Sequence, residues 1–411
     1  MLLKYPKNTY LLFVFFNCFM QVCLAQDSRK KESLSYIKEE VIVTGADRVG
    51  LYIDKLKNKT IAIVANQTSI IKLANKQEEH IVDYLHANKQ INVAKVFAPE
   101  HGFRGKADAG ETVKDGIDQK TKLPIISLYG KNKKPYPSQL KNIDVVVFDI
   151  QDVGARFYTY ISTLHYVMEA CAAAKIPVLL LDRPNPNGAY IDGPILENKH
   201  KSFVGMHPVP IVYGMTIGEY GTMINGEKWL DKALHCDLTV IPLKNYNHNS
   251  SYNLPIKPSP NLPNAKAIEL YPSLCFFEGT NVSVGRGTDK QFQIIGTPAY
   301  KIASHNFAFT PKPNEGAKYP KHENLECYGL DLRKEEKPNK IELKWLVQFY
   351  KAHQENNEDT PFFNAFFTKL AGTKKLQQQI ESNTSVTEIR SSWEKELNLF
   401  KVIRKKYLLY K

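Results

Sequence analysis

The 411-residue sequence predicts an α/β protein in which a mostly parallel sheet forms the N-terminal part and a second unit follows. Short runs of apolar and β-branched residues alternate there with segments of helical spacing, which is typical of a parallel sheet covered on both faces. A break rich in Asn, Ser and Pro, residues 245–264, separates this pattern from a later, helix-rich one. The chain length agrees with two domains.

The first 25 residues predict a secretion signal. Lys4 and Lys7 form a basic start, and the apolar run 10–22 is too short to span a bilayer comfortably. Cleavage is expected after Ala25, and an uncleaved anchor is the alternative. Attachment as a lipoprotein through Cys23 is disfavoured, because the three residues before it are a poor approach to a lipidated cysteine. The sequence therefore predicts an exported, periplasmic protein.

Strands are predicted where short apolar, β-branched runs end in turn-forming residues. The first such run is followed by Asn66-Gln67-Thr68-Ser69, and the fourth, IDVVVFDI, carries the strongest signal. Pro99 ends the second run, because it biases the preceding residue toward an extended conformation. The predicted strands are Lys59–Ala65, Val93–Ala98, Pro124–Tyr129, Ile143–Ile150 and Ile176–Leu181.

Helices are predicted where apolar residues recur every three or four positions. Two fall between the strands, over residues 78–88 and 160–174, and three follow the break, over residues 340–353, 364–371 and 388–410. Ligands of parallel sheets bind beyond the carboxyl ends of the strands. Polar clusters that directly follow predicted strands are therefore the candidates for a functional site.

The composition is that of a globular protein with a basic surface. The formal net charge is +13, but lysine is spread along the chain, whereas a nucleic-acid reader normally concentrates its charge on one element. The excess of positive charge suits either a solvated surface or attraction to an anionic polymer such as cell-wall glycan. We therefore expect no nucleic-acid partner.

The cysteines and histidines point to no redox or metal site. Cys18 and Cys23 lie in the leader, and the other four are expected to be buried small residues without a CxxC pair: Cys171, Cys236, Cys275 and Cys327. Four histidines lack the spacing of metal ligands: His101, His165, His207 and His248. No GxSxG motif is present for a serine nucleophile. No metal is expected.

The first candidate cluster is FAPEHGFRG, residues 97–105, which follows the second predicted strand. It brings a carboxyl group, Glu100, and an imidazole, His101, into a glycine-containing loop. A glutamic acid that keeps its proton in such a crevice can act as general acid. The alternative is structural, with Glu100 capping a helix or pairing with Arg104, which is itself a candidate for substrate binding.

The second cluster, residues 148–160, follows the fourth predicted strand. Asp149, Gln151, Asp152, Arg156 and Tyr158 combine the group types of a sugar site. Carboxylates and amides bind hydroxyl groups, aromatic rings stack on pyranose faces, and an arginine can hold a carboxylate through two hydrogen bonds. The alternative is that Asp152 caps a helix and Tyr158 serves packing.

Two further clusters complete the candidate set. Asp182 and Arg183 follow the fifth predicted strand and either contact the substrate or form an ion pair that supports the site. The segment FEGTNVSVGRGTD, residues 277–289, supplies Glu278, Asn281 and Arg286 after the break. Its glycines match neither a phosphate-binding loop nor a GxGxxG fingerprint, so no nucleotide cofactor is expected. The alternative for this segment is a glycine-rich turn.

Together these strings resemble the exo-β-N-acetylmuramidases, glycoside hydrolases of peptidoglycan recycling that were long catalogued as a domain of unknown function. The resemblance runs from about Val41 to the C-terminus and includes FAPEHGFRG, VVVFDIQDVGARFYTY, LLDRPNPNG, PVPIVYGMTIGE and FEGTNVSVGRGTD. It implies a Rossmann-like domain over residues 41–250 and a smaller C-terminal α/β domain over residues 265–411, with the active site in the cleft between them. The fold alone does not fix the function.

The resemblance also implies hydrolysis of the β-1,4 bond after an N-acetylmuramic acid (MurNAc) at the non-reducing end, with peptidoglycan-derived saccharides as substrates and without a cofactor. The glutamate of PEHG, here Glu100, would be the catalytic residue. As a hypothesis, Glu100 donates a proton to the leaving oxygen, and Asp149, Asp152 or Glu278 handles the positive charge on the ring. The acetamido group of the substrate is an alternative nucleophile.

Two supporting roles belong to the same hypothesis. His101 would relay or tune the proton of Glu100. Arg156 or Arg286 would hold the lactyl carboxylate that distinguishes muramic acid from N-acetylglucosamine (GlcNAc). The competing functions are a non-catalytic cell-wall glycan-binding protein and a periplasmic metal-dependent hydrolase.

Overall fold

The structure, a computed structural model, describes residues 40–73, 77–104, 115–301, 306–356 and 359–410. The described residues from Val43 onward belong to one compact unit. The predicted secretion signal lies outside the described residues. Within the part that is described, no helix combines the length and the apolar character needed to cross a bilayer.

A seven-stranded sheet forms the N-terminal part of this unit, between residues 60 and 241. Its strands are β1 (Thr60–Ala65), β4 (Asn92–Ala98), β5 (Gly116–Ile117), β6 (Pro124–Ser127), β7 (Val145–Asp149), β8 (Val178–Leu181) and β9 (Leu238–Ile241). A small antiparallel pair, β2 (Ile70–Lys72) and β3 (Glu78–His80), lies between β1 and β4 in the chain. The order in the large sheet is β5-β6-β4-β1-β7-β8-β9, and only the β5–β6 pairing is antiparallel.

The helices of this part are α1 (Ile53–Leu56), α2 (Ile81–Ala87), α3 (Pro137–Leu140), α4 (Tyr160–Ala174) and α5 (Ile217–Gly226). The predicted α/β class and the mostly parallel sheet are confirmed, and the five predicted strands correspond to β1, β4, β6, β7 and β8. The helix predicted over residues 78–88 begins later, at Ile81. Residues 78–80 pair with β2 instead, and the side chain of His80 accepts a hydrogen bond from the Val82 amide at the start of α2.

Alternate residues of the central strands enter two different cores, because side chains alternate across a strand. Ala62 and Val64 of β1 face a large core that also contains Phe400, near the C-terminus. Ile61 and Ile63 of the same strand face a second core on the other side of the sheet. The sheet is therefore buried on both faces, as its continuous apolar strands predict.

The C-terminal part contains a three-stranded antiparallel sheet and several helices. The sheet has the order β10 (Ile294–Thr297), β12 (Cys327–Asp331), β11 (Phe307–Phe309). The helices are α6 (Ala265–Leu274), α7 (Lys344–Glu355), α8 (Ala365–Ala371), α9 (Lys375–Glu381), α10 (Val386–Ser391) and α11 (Glu394–Lys405). The single helix predicted over residues 388–410 is two helices, α10 and α11.

The break at residues 245–264 contains none of the strands and helices described above, and α6 starts directly after it. The domain boundaries drawn from that break stay predictions. The four cysteines outside the leader are buried, as predicted, and the structure shows them as free thiols.

Candidate active site

A pocket of about 540 Å³ brings side chains from both parts of the chain together. Of the thirteen side chains singled out from the sequence, it is lined by five: Glu100, His101, Tyr158, Glu278 and Arg286. The predicted position in a cleft between domains stays a prediction. The structure shows a cavity whose wall contains Glu100 from the N-terminal part of the chain and Glu278 from the C-terminal part.

Glu100 stands directly beyond the carboxyl end of β4, where the backbone turns sharply. His101 adopts a φ of +69° and Gly102 a φ of +78°, and the Gly102 amide donates to the Pro99 carbonyl at 3.0 Å. A left-handed conformation is uncommon for a residue with a side chain, although His adopts it more readily than most. The turn exposes the half-buried Glu100 to the pocket and encloses His101 in its wall.

Two hydroxyl groups orient the Glu100 carboxyl group. The Thr159 hydroxyl, at the N-terminus of α4, donates to Oε2 of Glu100 at 2.6 Å. The Tyr129 hydroxyl, two residues after β6, is also hydrogen-bonded to Glu100. Burial and then the negative charge of Glu100 raise the pKa of Tyr129, so this phenol keeps its proton as a donor.

The C-terminal part of the chain contributes a second carboxyl group, among positive charges, to the pocket wall. Nη1 of Arg286 donates to Oε1 of Glu278 at 2.9 Å, and both side chains keep 24% of their surface exposed. Lys321 lies nearby. Its pKa falls to about 8 because burial disfavours the ammonium ion, an effect that Glu278 partly offsets. One negative and two positive groups therefore leave this part of the wall with a net positive charge at neutral pH.

Tyr271 connects the two carboxyl groups electrostatically. It lines the pocket, and burial raises its pKa well above the ordinary value. The charges of Cys275, Glu278 and Glu100 all raise that pKa further, so the phenol lies within reach of both carboxyl groups. Tyr158 packs edge-on against Tyr271, and its hydroxyl donates to the Pro258 carbonyl at 2.8 Å. Both rings line the pocket together with the two carboxyl groups.

Asp149 and Arg183 do not line the pocket. Nε and Nη2 of Arg183 donate to the two carboxylate oxygens of Asp149 at 2.6 and 2.8 Å, and both residues are buried. The alternative of an ion pair between Asp182 and Arg183 is wrong, because the Arg183 guanidinium binds Asp149 instead. Asp182 accepts instead from the hydroxyls of Thr216 and Tyr410 and from the amides of Gly218 and Arg183.

Three residues of the second cluster are also enclosed. Nη1 and Nη2 of Arg156 donate to four backbone carbonyls, those of Pro194, Val209, Leu370 and Ala371. Asp152 accepts from Tyr213 and from the Gly154 amide, and Gln151 donates to the carbonyls of Asp152 and Pro184. With no exposed surface, the Arg156 guanidinium has no route to a lactyl carboxylate in the pocket. Arg286, the other arginine considered for that role, does line the pocket.

Arg104 and Asn281 lie outside the pocket as well. Nη2 of Arg104 contacts Asp118 at 2.9 Å and Asp83 at 3.3 Å rather than Glu100. The Asn281 carbonyl is hydrogen-bonded to Nε2 of His322 at 2.6 Å, and this contact fixes the loop that carries Glu278. Both residues therefore support loops that border the pocket.

Several lining residues have no counterpart in the sequence-based prediction. Tyr129 and Thr159 could have been found, because Tyr129 is the last residue of a predicted strand and Thr159 directly precedes a predicted helix. Tyr271, Tyr319 and Lys321 come from the C-terminal part, where no strand end marked them. Among the described residues, no group of three or more His, Cys, Asp and Glu side chains could hold a metal ion.

Comparisons with known proteins agree with the resemblance in the sequence. Residues 61–266 match the family model described as exo-beta-N-acetylmuramidase NamZ, N-terminal, and residues 269–410 match the C-terminal model of the same family. The chain is 40% identical, over 396 residues, to the peptidoglycan beta-N-acetylmuramidase NamZ of Bacillus subtilis (strain 168). The alignment covers 91% of this chain and 92% of the relative.

Two solved structures of DUF1343 family proteins from Bacteroides fragilis NCTC 9343 share the fold. One is 45% identical with a TM-score of 0.82, and the other is 26% identical with a TM-score of 0.76. Each comparison covers 90% of this chain and 99% of the solved chain. The similarity therefore extends over both parts of the molecule.

Proposed function

Because this chain belongs to the exo-β-N-acetylmuramidase NamZ family and is a glycosidase, we propose that it releases MurNAc from the non-reducing end of peptidoglycan fragments. The bond it cleaves is the β-1,4 bond to the following GlcNAc. One observation carries the proposal: Glu100 and Glu278 line the same pocket. Glycosidases generally use two carboxyl groups that flank the scissile bond.

Glu100 is the general acid of the proposed mechanism. Its protonated carboxyl group donates to the glycosidic oxygen as the bond to the MurNAc ring breaks. The hydroxyls of Thr159 and Tyr129 hold the group in one orientation, which favours proton transfer along a fixed direction. The imidazole of His101 lies in the same wall and tunes this proton.

Glu278 is the second carboxylate, and it offsets the positive charge that develops on the sugar ring. Asp149 and Asp152, the other sequence-based candidates for this role, do not line the pocket. Arg286 and Lys321 give the same wall its positive charge, which attracts the lactyl carboxylate of MurNAc. Arg286 offers the planar guanidinium that binds carboxylates best.

The substitution Glu100→Gln tests the general acid. Purified wild type, Glu100→Gln and Glu278→Gln are incubated with a MurNAc-GlcNAc disaccharide, and free MurNAc is followed by mass spectrometry. We expect Glu100→Gln to lower kcat by about 100-fold or more, since general acid catalysis contributes about 10²–10⁴-fold. Affinity for the disaccharide, measured by calorimetry, should be retained because the amide keeps the shape of the carboxyl group.

Glu355→Gln, at an exposed position of α7, is the matched control and should behave as wild type. Wild-type turnover in Glu100→Gln would contradict the assignment of the acid. Failure of the wild type to release any MurNAc would contradict the proposed bond specificity itself.

We further propose that the protein is exported to the periplasm after removal of residues 1–25. The basic start and the short apolar run of the leader support this. Intact-mass analysis of the protein from a periplasmic fraction should give a chain that begins at Gln26. A full-length chain found in the membrane fraction would instead support the uncleaved anchor.

A further inference from the structure

Tyr319 combines two properties that rarely occur together. It lines the pocket that contains Glu100 and Glu278, and yet 90% of its surface is exposed. A ring that borders a cavity while it stays almost fully exposed must stand at the opening of that cavity. Because so little of the ring is buried, Tyr319 contributes almost nothing to the stability of the fold through the hydrophobic effect.

The backbone on the N-terminal side of Tyr319 is held firmly. The Gly316 carbonyl accepts hydrogen bonds from Nδ2 of Asn261 at 2.6 Å and from Nη2 of Arg286 at 3.3 Å. Asn314 and Ala317 pair with each other through backbone hydrogen bonds. Arg286 is therefore linked both to Glu278 and to the segment that presents Tyr319.

The C-terminal side is held as well. Nζ of Lys321 donates to three backbone carbonyls of the segment 277–282. Pro320 is buried against Gly287 so closely that a Cβ added to that glycine would lie 2.6 Å from Cβ of Pro320. The Tyr319 ring thus projects from a short segment that is fixed to the Glu278 loop.

We propose that Tyr319 forms a second saccharide subsite at the opening of the pocket, where its ring stacks on the leaving-group sugar. This inference rests on the proposed function. An enzyme that takes the end of a glycan places the terminal sugar beside its catalytic acid, so the rest of the chain must leave through the opening. The backbone on both sides of Tyr319 is held, so the ring is presented at that point without ordering of its loop, and its exposed apolar face can stack on a pyranose.

Product inhibition separates the two sugar positions. Kinetics on the MurNAc-GlcNAc disaccharide are measured for wild type and Tyr319→Ala, with free GlcNAc and free MurNAc as inhibitors. We expect Tyr319→Ala to raise KM about tenfold and to weaken inhibition by GlcNAc by a similar factor. Inhibition by MurNAc should stay within about twofold of wild type, because that sugar occupies the inner position.

Tyr319→Phe keeps the ring and should behave as wild type, since stacking does not need the hydroxyl. Tyr136→Ala removes a tyrosine that is 55% exposed and lies outside the pocket lining, so it is the matched control and should leave all constants unchanged. Thermal unfolding of Tyr319→Ala checks that the variant folds.

Unchanged KM and unchanged GlcNAc inhibition in Tyr319→Ala would overturn the subsite, while release of MurNAc by the wild type would still support the proposed function. If Tyr319→Ala weakens inhibition by MurNAc more than it weakens inhibition by GlcNAc, the assignment of Tyr319 to the leaving-group side is overturned. A wild type that releases no MurNAc contradicts both proposals.

Discussion

At the scale of single residues, two carboxyl groups that follow strands have opposite surroundings. Glu100 reaches the pocket, whereas Asp152 is almost fully enclosed. Oδ2 of Asp152 accepts from Tyr213 and from the Gly154 amide, while Oδ1 has no hydrogen-bond partner within the described part of the chain. Burial raises the pKa of Asp152 to about 6, an effect that the Tyr213 hydrogen bond partly offsets.

This raised pKa makes stability depend on pH in a defined direction. The folded state binds the proton of Asp152 more tightly than the unfolded state, whose pKa is near 3.8. The resulting stabilisation is complete below pH 3.8 and is lost as the pH rises through about 6. Asp152→Asn lacks this dependence, because its amide does not titrate and its oxygen can keep the bonds from Tyr213 and Gly154.

We therefore expect the free energy of unfolding of Asp152→Asn, relative to wild type, to rise by about 3 kcal/mol between pH 4 and pH 7, at about 1.4 kcal/mol per pKa unit. Urea unfolding at several pH values measures the difference. Asp237→Asn, at an exposed position, controls for the loss of one negative charge. A difference that stays constant over this range would show that Asp152 does not hold its proton as described.

The order of residues along the chain predicts which loops meet, but not where each side chain points. Asp149 is the last residue of β7, and Asp152 and Glu100 follow β7 and β4 of the same sheet. The direction of Asp149 depends on Arg183, whose guanidinium approaches it at 2.6 Å from the next strand. Such pairing depends on rotamers and on neighbouring strands, and no pattern within one segment contains that information.

At the scale of elements, three ends converge on one carboxyl group. Glu100 follows β4, Tyr129 follows β6, and Thr159 precedes α4. β4 and β6 are parallel neighbours, so their carboxyl ends lie at the same edge of the sheet. The start of α4 is brought there by the connection from β7. Catalytic geometry is in this way set by the ends of rigid elements.

Thr159→Val removes one of the two hydroxyl donors to Glu100 while keeping the shape of the side chain. We expect kcat to fall about tenfold, because the protonated carboxyl group loses a hydrogen bond that orients it, and such a bond contributes about 0.5–1.5 kcal/mol. KM should change little, and the pH profile of kcat should shift. Thr159→Ser, which restores the hydroxyl, should recover most of the activity, and wild-type kcat in Thr159→Val would contradict this positioning role.

Central strands were predictable from the sequence, whereas edge strands were not. β1, β7 and β8 are buried on both faces and therefore appear as continuous apolar runs. β5 has two exposed residues and β9 is half-exposed at the other edge, so neither produces such a run. The antiparallel sheet β10–β12 was also missed, because its strands are short and two of them contain glycine.

At the scale of the whole molecule, the C-terminal residues return to the sheet. The Tyr410 hydroxyl donates to Oδ2 of Asp182 at 2.6 Å, and the amides of Leu409 and Tyr410 donate to Oε1 of Glu219. Both acceptors are fully buried. Burial raises the pKa of Asp182 to about 7, which the hydrogen bond from Tyr410 partly offsets. The last residues therefore bind two carboxyl groups that lie far earlier in the chain: Asp182 is 228 positions before Tyr410, and Glu219 is 190 positions before Leu409.

Removal of the Tyr410 hydroxyl tests how much its hydrogen bond to Asp182 contributes to stability. We expect Tyr410→Phe to lower the free energy of unfolding by about 1–3 kcal/mol, because a buried acceptor loses its donor. Chemical denaturation gives the value. Leu409→Ala changes an exposed side chain but keeps its amide, so it is the control and should change stability by about 0.5 kcal/mol or less. Equal stabilities for Tyr410→Phe and wild type would contradict the link.

The family resemblance extends to the C-terminus, but it does not tell which residues the C-terminus contacts. Contacts between residues this far apart depend on the packing of the whole chain, as with Phe400 and the core that it shares with Ala62. The spacing of apolar residues within one segment does not predict such long-range contacts.

The four buried cysteines have a consequence for the conditions in which the chain can fold. Burial raises the pKa of the Cys236 and Cys327 thiols to about 12, and it raises those of Cys171 and Cys275 as well. The reactive thiolate is therefore scarce even at Cys275, which borders the pocket. Maturation needs no oxidant, and the same fold should form in a reducing cytoplasm and persist in an oxidising envelope.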